Sequence, residues 1–500
     1  MEGSSDGGNE SLDGEPHMGC CCNSQRQKII GCKWVFTIKY RLDGCVDRYK
    51  ARLVAQGYSQ TYGIDYEEIF APVAKLNSIW VILSLAINLD WKLFQLDIKN
   101  AFLNGELEEE VYTRIPPGFE EEGKTGKVCK LQRSLYGLKQ SPRAWFKKFS
   151  STIIKFGYTQ GEADHTLFTK CSTNGKRCIL IAYMDDIIII GDDALEIENL
   201  KQRLKKEFEV KDLGEMNYFL GMEVARSKLG IQLSQRKYTP NLLKDTGMLD
   251  CKPRRTPLKR NWKYLIKDND PLVDKERYQR FVGRMIYRSL TRLDIAYAVS
   301  IVSQFMHSPT QQHLDVAYHI LRYLKGTHGK GLLFKKGQNR GVEGFANADW
   351  AGSVTESGST SGFCTKLWGN LVTWRSKKQT VVARSSAEAE FRAMAQGICE
   401  LIWLTRIMGD MRMPLKLPTK LYSDSKSAIS IVNNSVQHDR TKHVRIDRSF
   451  IQREIEEGGI QLTYVPTENQ EADVLTKAMS RPGFEALISK LGMKNIYSPA

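Results

Sequence analysis

No apolar run in the 500-residue chain approaches the roughly 18 residues that a membrane-crossing helix needs. The longest, Trp80–Leu89, is broken by Ser84 and Asn88. Cysteine is thinly used: eleven residues, mostly isolated, with no C-x₂-C pair, and Cys20-Cys21-Cys22 is a run without zinc spacing. A disulfide framework and a zinc site are therefore not expected, and a reducing compartment is. The opening "MEGSSDGGNESLDGEPH" is acidic and Gly/Ser-rich with no apolar core, so it does not read as a secretory signal. No internal repeat appears. Of the eight histidines only His443, after Lys442, is a candidate for function, with a plain surface histidine as the alternative.

What is present in excess is positive charge. Lys and Arg number 73 against 57 Asp and Glu, a formal net charge of +16. That favours a polyanionic partner, and without a membrane segment nucleic acid is the better one. The length suggests two to four domains.

The stretch "CILIAYMDDIIIIGDD", Cys178–Asp193, sets Asp185 and Asp186 between two β-branched runs that read as strands covered on both faces. The spacing predicts a tight hairpin with Met184-Asp185-Asp186 at its tip. Two carboxylates ~4 Å apart repel by roughly 4 kcal/mol at an effective dielectric near 20, which a bound dication would relieve. Asp-Asp is also an ordinary turn dipeptide, so this stretch alone leaves both readings open.

Further acids and cations fall into strand patterns. In "LFQLDIKNAFLNG", Phe94, Leu96 and Ile98 alternate, so Gln95, Asp97 and Lys99 share the opposite face of a strand ending at Asn104-Gly105. Trp34, Phe36 and Ile38, then Tyr49, Ala51, Leu53 and Ala55, predict a hairpin turning at Asp43-Gly44. Its second strand carries Arg48, Lys50 and Arg52 on one face, suited to phosphate contact or simply solvated. Residues 76–90 read as a buried helix capped near Asn77 or Ser78, and Pro142 opens a helix that runs to about 156. A Pro- and Lys-rich connector covers 252–275, helical patterns run from 276 to 326, and an α/β unit starts at 341. Three carboxylates gathered from a strand and a hairpin suit two-metal nucleotidyl transfer: one ion lowers the pKa of a primer 3′-hydroxyl, and the other clamps the leaving group.

Together "KWVF", "DRYKARLVAQGYSQTYGIDYEEIFAPVAK", "QLDIKNAFLNG", "SLYGLKQSPRAWF", "YMDD", "FLGMEV" and "RYLKGT" resemble, in order and over about residues 31–493, the reverse transcriptase of copia-type LTR retrotransposons, especially plant ones. The resemblance implies an α/β fold: a right-hand polymerase with fingers and palm over 31–256, a thumb-like helical region over 257–340, then an RNase H-like α/β domain over 341–480. Residues 1–30 are expected to be an unmatched, disordered leader, and 481–500 a tail. It further implies that Asp97, Asp185 and Asp186 hold two Mg²⁺ ions (Mn²⁺ as an alternative), and that Phe102 blocks a ribose 2′-hydroxyl where residue type alone suggests a core aromatic. Lys33, Arg48, Lys50 and Arg52 would face the dNTP or template, with Tyr136–Lys139, Tyr183 and Met184 shaping the pocket. Gly221, in Phe219-Leu220-Gly221, would help hold the primer terminus. Met184 replaces the Val expected in copia elements, and Leu293 a usual Pro. The implied partners are RNA template, DNA primer, RNA–DNA hybrid and dNTPs, and the implied setting is a cytoplasmic virus-like particle or the nucleus.

In the C-terminal unit the implied acids are Glu390, Asp424 and Asp473. Glu388 completes a capping box with Ser385, which gives it a structural role. The fourth acid should open "FANADWAG", where the family reads Asp-Ala-Asp-Trp; here Asn347 holds the metal-ligand position and only Asp349 remains. Hard dications favour carboxylate, so RNase H activity is expected to be weak unless Asp349 substitutes. The chain is thus expected to be part of a retrotransposon polyprotein with an active polymerase. The alternatives are a decayed relic and a nucleic-acid-binding protein without chemistry.

Overall fold

A computed structural model describes residues 18–22, 28–40, 45–119, 127–262, 270–352, 358–433 and 445–495. His443 and the expected turn at Asp43-Gly44 lie outside them. The chain is mixed α/β and divides into two compact units, 1–74 with 93–215 and 75–92 with 216–500.

In the first unit β1 (Met18–Cys22) pairs with β7 (Lys127–Arg133), and β2 (Ile29–Ile30) joins the same sheet beside β6 (Glu106–Thr113). The expected leader is therefore strand over these residues. A five-residue segment without its own alternating pattern finds its partner more than a hundred positions away, which local sequence does not reveal. β3 (Cys32–Tyr40) and β4 (Val46–Ala55) form the expected hairpin, and its register sets Lys33, Arg48, Lys50 and Arg52 on one face.

The larger sheet is built from β5 (Lys92–Ile98), β8 (Thr159–Gln160), β9 (Leu167–Cys171), β10 (Arg177–Tyr183), β11 (Asp186–Gly191) and β12 (Val210–Glu215), in the order β12-β5-β11-β10-β9-β8. Ile179, Leu180, Ile181 and Ile187–Ile190 have no exposed surface, as strands covered on both faces require. One covering layer is the helix Ser141–Lys155, which opens with Pro142 and buries Trp145, Phe149 and Ile153; the other elements around this core include the helix Ala194–Glu207. β5 ends at Ile98 rather than at Asn104-Gly105: Asn100 takes φ 51°, and Ala101–Asn104 coil into a 3₁₀ turn.

In the second unit, the helix Leu76–Asn88 stacks Trp80 on Trp374 and donates from Ser84 Oγ to Leu367 O at 2.8 Å. Its N-cap is Lys75, which sets Asn77 and Ser78 in the first turn as expected, and Asn77 Nδ2 donates to Glu400. β13 (Tyr218–Phe219), β14 (Met222–Ser227), β15 (Gly230–Ser234), β16 (Lys330–Phe334) and β22 (Met493–Asn495) make one sheet. The expected helical region appears as Lys275–Ser289, Ala296–Ser303 and Gln311–Gly326. A last sheet takes β17 (Val342–Asp349), β18 (Thr360–Leu367), β19 (Asn370–Lys378), β20 (Thr419–Ser423) and β21 (Ile460–Tyr464) in the order β19-β18-β17-β20-β21, with the helix Ser386–Asp410 packed on β17 and β18.

Two candidate acidic sites

β10 and β11 pair up to Tyr183 opposite Asp186, leaving Met184-Asp185 as the two-residue turn, with Asp186 the first strand residue beyond it. Met184 takes φ 56°, the left-handed turn conformation that suits twisted strands. The tip is tied down by its backbone: Ile98 N donates to Asp185 O at 2.9 Å, and Trp145 Nε1 to Met184 O at 2.9 Å. These bonds bring the hairpin to the end of β5, where Asp97 stands. Gln95 Nε2 donates to Asp186 Oδ1 at 2.9 Å. Sequence pattern placed Gln95 on the face of Asp97 without naming this role, and nothing local marked Trp145.

The charge of Asp185 acts on both of the other acids. Burial pushes Asp97 above the ordinary carboxylate range and Asp185 adds to it, while Lys211, Lys50 and Lys99 pull the other way. Burial also raises Asp186, opposed by its Gln95 bond and reinforced by Asp185 and Asp97. Among the described residues no side chain donates to Asp97 or Asp185.

Cations and rings from the same unit close in. Lys50 lies near enough to Asp97 to feel its charge; burial and its neighbours Arg52, Arg48 and Lys39 lower its pKa. Arg52 sits 5.5 Å from the centre of the Tyr136 ring, and its buried Nε has no partner. Tyr136 meets Phe102 edge-on at 5.3 Å; burial raises its hydroxyl, which also senses Asp185 and Asp97. Gly137 makes this approach feasible. At φ 91° it lies so close to β4 that a Cβ would meet Ala55 O at 2.2 Å, and Ala55 N donates to Tyr136 O. Phe102 is half-buried against the core of this sheet as well as Tyr136, so both its readings keep support. Lys33 and Arg48 are exposed on the shared face, Tyr183 is half-buried and Met184 exposed. Gly221 belongs to the second unit, in a turn with Leu220 at φ 47° and Gly221 at φ 71°, where Tyr287 donates to Leu220 O.

The second unit gathers the other acids. Glu390, from the helix Ser386–Asp410, accepts Ala348 N at 3.0 Å through Oε1, and its Oε2 is buried without a partner. Burial pushes Glu390 up to about 8, with Asp424 and Asp473 adding to it. Asp424 follows β20 and accepts from Thr467 Oγ1 at 2.9 Å. Asp473 lies in a 3₁₀ turn; burial raises it to about 6 against the pull of Lys477, with Asp424 and Asp349 nearby. Asn347 on β17 donates to Asp473 Oδ1 at 2.7 Å. Ser385 caps this helix by accepting Glu388 N, while the Glu388 carboxylate accepts Arg384 N rather than the N-cap amide. Lys477 and Thr476 are the residues the sequence did not flag, although Lys477 stands at the i+4 spacing of an ion pair. As placed, no three acidic, imidazole or thiol groups among the described residues converge on one ion position.

A family model described as reverse transcriptase (RNA-dependent DNA polymerase) matches residues 20–260, starting inside the expected leader. A putative transposon Ty5-1 protein of Saccharomyces cerevisiae is 33% identical over 310 residues, covering 61% of this chain and 100% of that protein. The chain belongs to the copia-type reverse transcriptase family. The retrovirus-related Pol polyprotein from transposon RE1 of Arabidopsis thaliana is 41% identical over 469 residues, 94% of this chain, yet the chain spans only 32% of that protein's length. Among solved structures, a foamy viral protease-reverse transcriptase in complex with double-stranded DNA matches at TM-score 0.50 and 11% identity, over 90% of this chain and 67% of that one, a likeness of fold. No helix of the described residues is long and apolar enough to cross a membrane.

Proposed function

We propose that this member of the reverse transcriptase family performs RNA- and DNA-templated DNA synthesis. The carrying observation is the trio Asp97, Asp185 and Asp186, mutually repelling and faced by Lys50, Arg52 and Tyr136. The donor set is three carboxylates, oxygen ligands of the kind hard dications favour: burial raises Asp97 and Asp186, the Asp185 charge adds to both, and among the described residues Gln95 is the only side chain that donates to them. Asp97, Asp185 and Asp186 would hold two Mg²⁺ ions, which when bound would acidify a primer 3′-hydroxyl and neutralise the triphosphate leaving group. Lys50 and the unpartnered Arg52 Nε supply positive charge where the triphosphate of a dNTP would lie. Phe102, backed by Tyr136, would stand beside the sugar and exclude a 2′-hydroxyl. Leu220-Gly221 would steady the primer end. RNA template, DNA primer and RNA–DNA hybrid are the partners this reading requires. The C-terminal pocket is that of a weakened RNase H, because Asn347 supplies no negative charge. The test is primer extension on a poly-rA template with Mg²⁺ using the full chain. Extension that vanishes in Asp185→Asn supports the reading, and equal incorporation by that variant contradicts it.

A further inference from the structure

Loss of one charge does not fully describe the C-terminal pocket. Asn347 uses both amide protons: Nδ2 donates to Asp473 Oδ1 at 2.7 Å and to Thr476 Oγ1 at 2.8 Å. Thr476 in turn donates to Asp473 O at 3.3 Å, so its hydroxyl is engaged too. The other carboxylate oxygen of Asp473 takes Lys477 Nζ at 2.8 Å. The amide cannot usefully turn over, since its carbonyl would then face a carboxylate oxygen, acceptor against acceptor. Asn347 and Asp473 are 4% and 2% exposed, so water does not compete for these bonds. Asp424 already accepts from Thr467, and of Glu390, Asp424 and Asp473 only Glu390 keeps a buried oxygen without a partner among the described residues. The pocket as built does not fit a pair of dications.

We propose that Asn347 and Lys477 form a latch on Asp473, two donors supplied by the chain itself that take the place of a divalent cation and keep this pocket from binding one. An aspartate at 347 would reverse the local chemistry, because it could not donate to Asp473 and would repel it until a cation intervened. Lys477 is then a positioning residue that competes with the ion for the same oxygen. Ion exclusion follows from the bonds alone; only its consequence, a hybrid held but not cut, rests on the RNase H reading.

The experiment counts ions. The full chain carrying Asp185→Asn and Asp186→Asn, which removes uptake at the polymerase acids, is titrated with Mn²⁺ and free ion is read by electron paramagnetic resonance. No saturable site is expected in this background. Adding Asn347→Asp should create one, lower the melting temperature in EDTA, and regain it in Mn²⁺. Adding Lys477→Met as well should tighten that site by about tenfold, the scale of a lost neighbour at a metal centre. Lys477→Met in the background alone tests the idea without a buried acid and should give weak but measurable uptake. A saturable site in the background that Asn347→Asp does not strengthen overturns the latch, and so does Mn²⁺ affinity indifferent to Lys477→Met in both settings. Hybrid cleavage is measured separately. If Asn347→Asp takes up Mn²⁺ but cuts no hybrid, the latch stands and the RNase H reading falls.

Discussion

Two pockets in this chain gather carboxylates from a strand and its neighbours, and they treat those carboxylates in opposite ways. In the first, among the described residues, Asp97 and Asp185 accept from no side chain and Asp186 accepts only from a neutral amide, while burial and the neighbouring acids raise Asp97 and Asp186. In the second, Asp473 is bonded on both oxygens by Asn347 and Lys477, and Glu390 is so buried that its pKa climbs to about 8. A count of acids would rank them nearly equal. The difference lies in what already satisfies each oxygen: a carboxylate left in repulsion is a demand for a cation, whereas one holding an amide and an ammonium has had that demand met.

The sharpest way to break this contrast is to remove a demand. Asp185→Asn should take templated dNTP incorporation to background, a loss of at least about a thousandfold on the scale of other essential groups, while circular dichroism stays parental. Restoring a demand is the converse. Asn347→Asp should raise hybrid cleavage by about 10–100-fold over the parent in a labelled-RNA assay. If the parent instead cuts briskly and Asp349→Asn silences it, Asp349 is the working acid. A smaller effect tests the wall of the first pocket: Phe102→Ala should shift single-nucleotide insertion toward ribonucleotides by about tenfold or more. An unchanged preference would leave Phe102 as core packing.

Stability offers the smallest effects. Arg288 occupies the apolar stripe of its helix with Tyr278, Phe281, Val282 and Met285. It is fully buried with Nε and Nη2 unpartnered, and its pKa is lowered to about 9 by burial, with Arg292 adding to it. Arg288→Leu should therefore stabilise the second unit by about 1–3 kcal/mol in denaturant unfolding. His319 donates to Thr256 O, and burial lowers its pKa to about 4. Held neutral in the fold yet protonatable when unfolded, it contributes stability above its ordinary pKa near 6.5 that is lost as pH falls toward 4. His319→Gln should flatten the fall in melting temperature across that window.

Much of the first pocket was legible because its signals are local. The apolar runs Ile179–Tyr183 and Ile187–Ile190 on either side of Asp185-Asp186, the alternation around Asp97 and the shared face of Arg48, Lys50 and Arg52 all survive as strands. What escaped depends on contacts distant in sequence. Gln95 reaches Asp186 across 91 residues, Asn77 reaches Glu400 across 323, and β1 needs β7 to be a strand at all. The second pocket was half legible: Asn347 stood out against a motif, but Lys477, which binds the other oxygen of Asp473, is marked only by its i+4 spacing from that acid.

The most direct test reads both pockets in one tube. The full chain is given a DNA primer on a 5′-labelled RNA template with dNTPs and Mg²⁺, and the lengths of both strands are followed. An extended primer lying on RNA that stays essentially intact is the expected result. RNA shortened beneath a primer that never grows would contradict it.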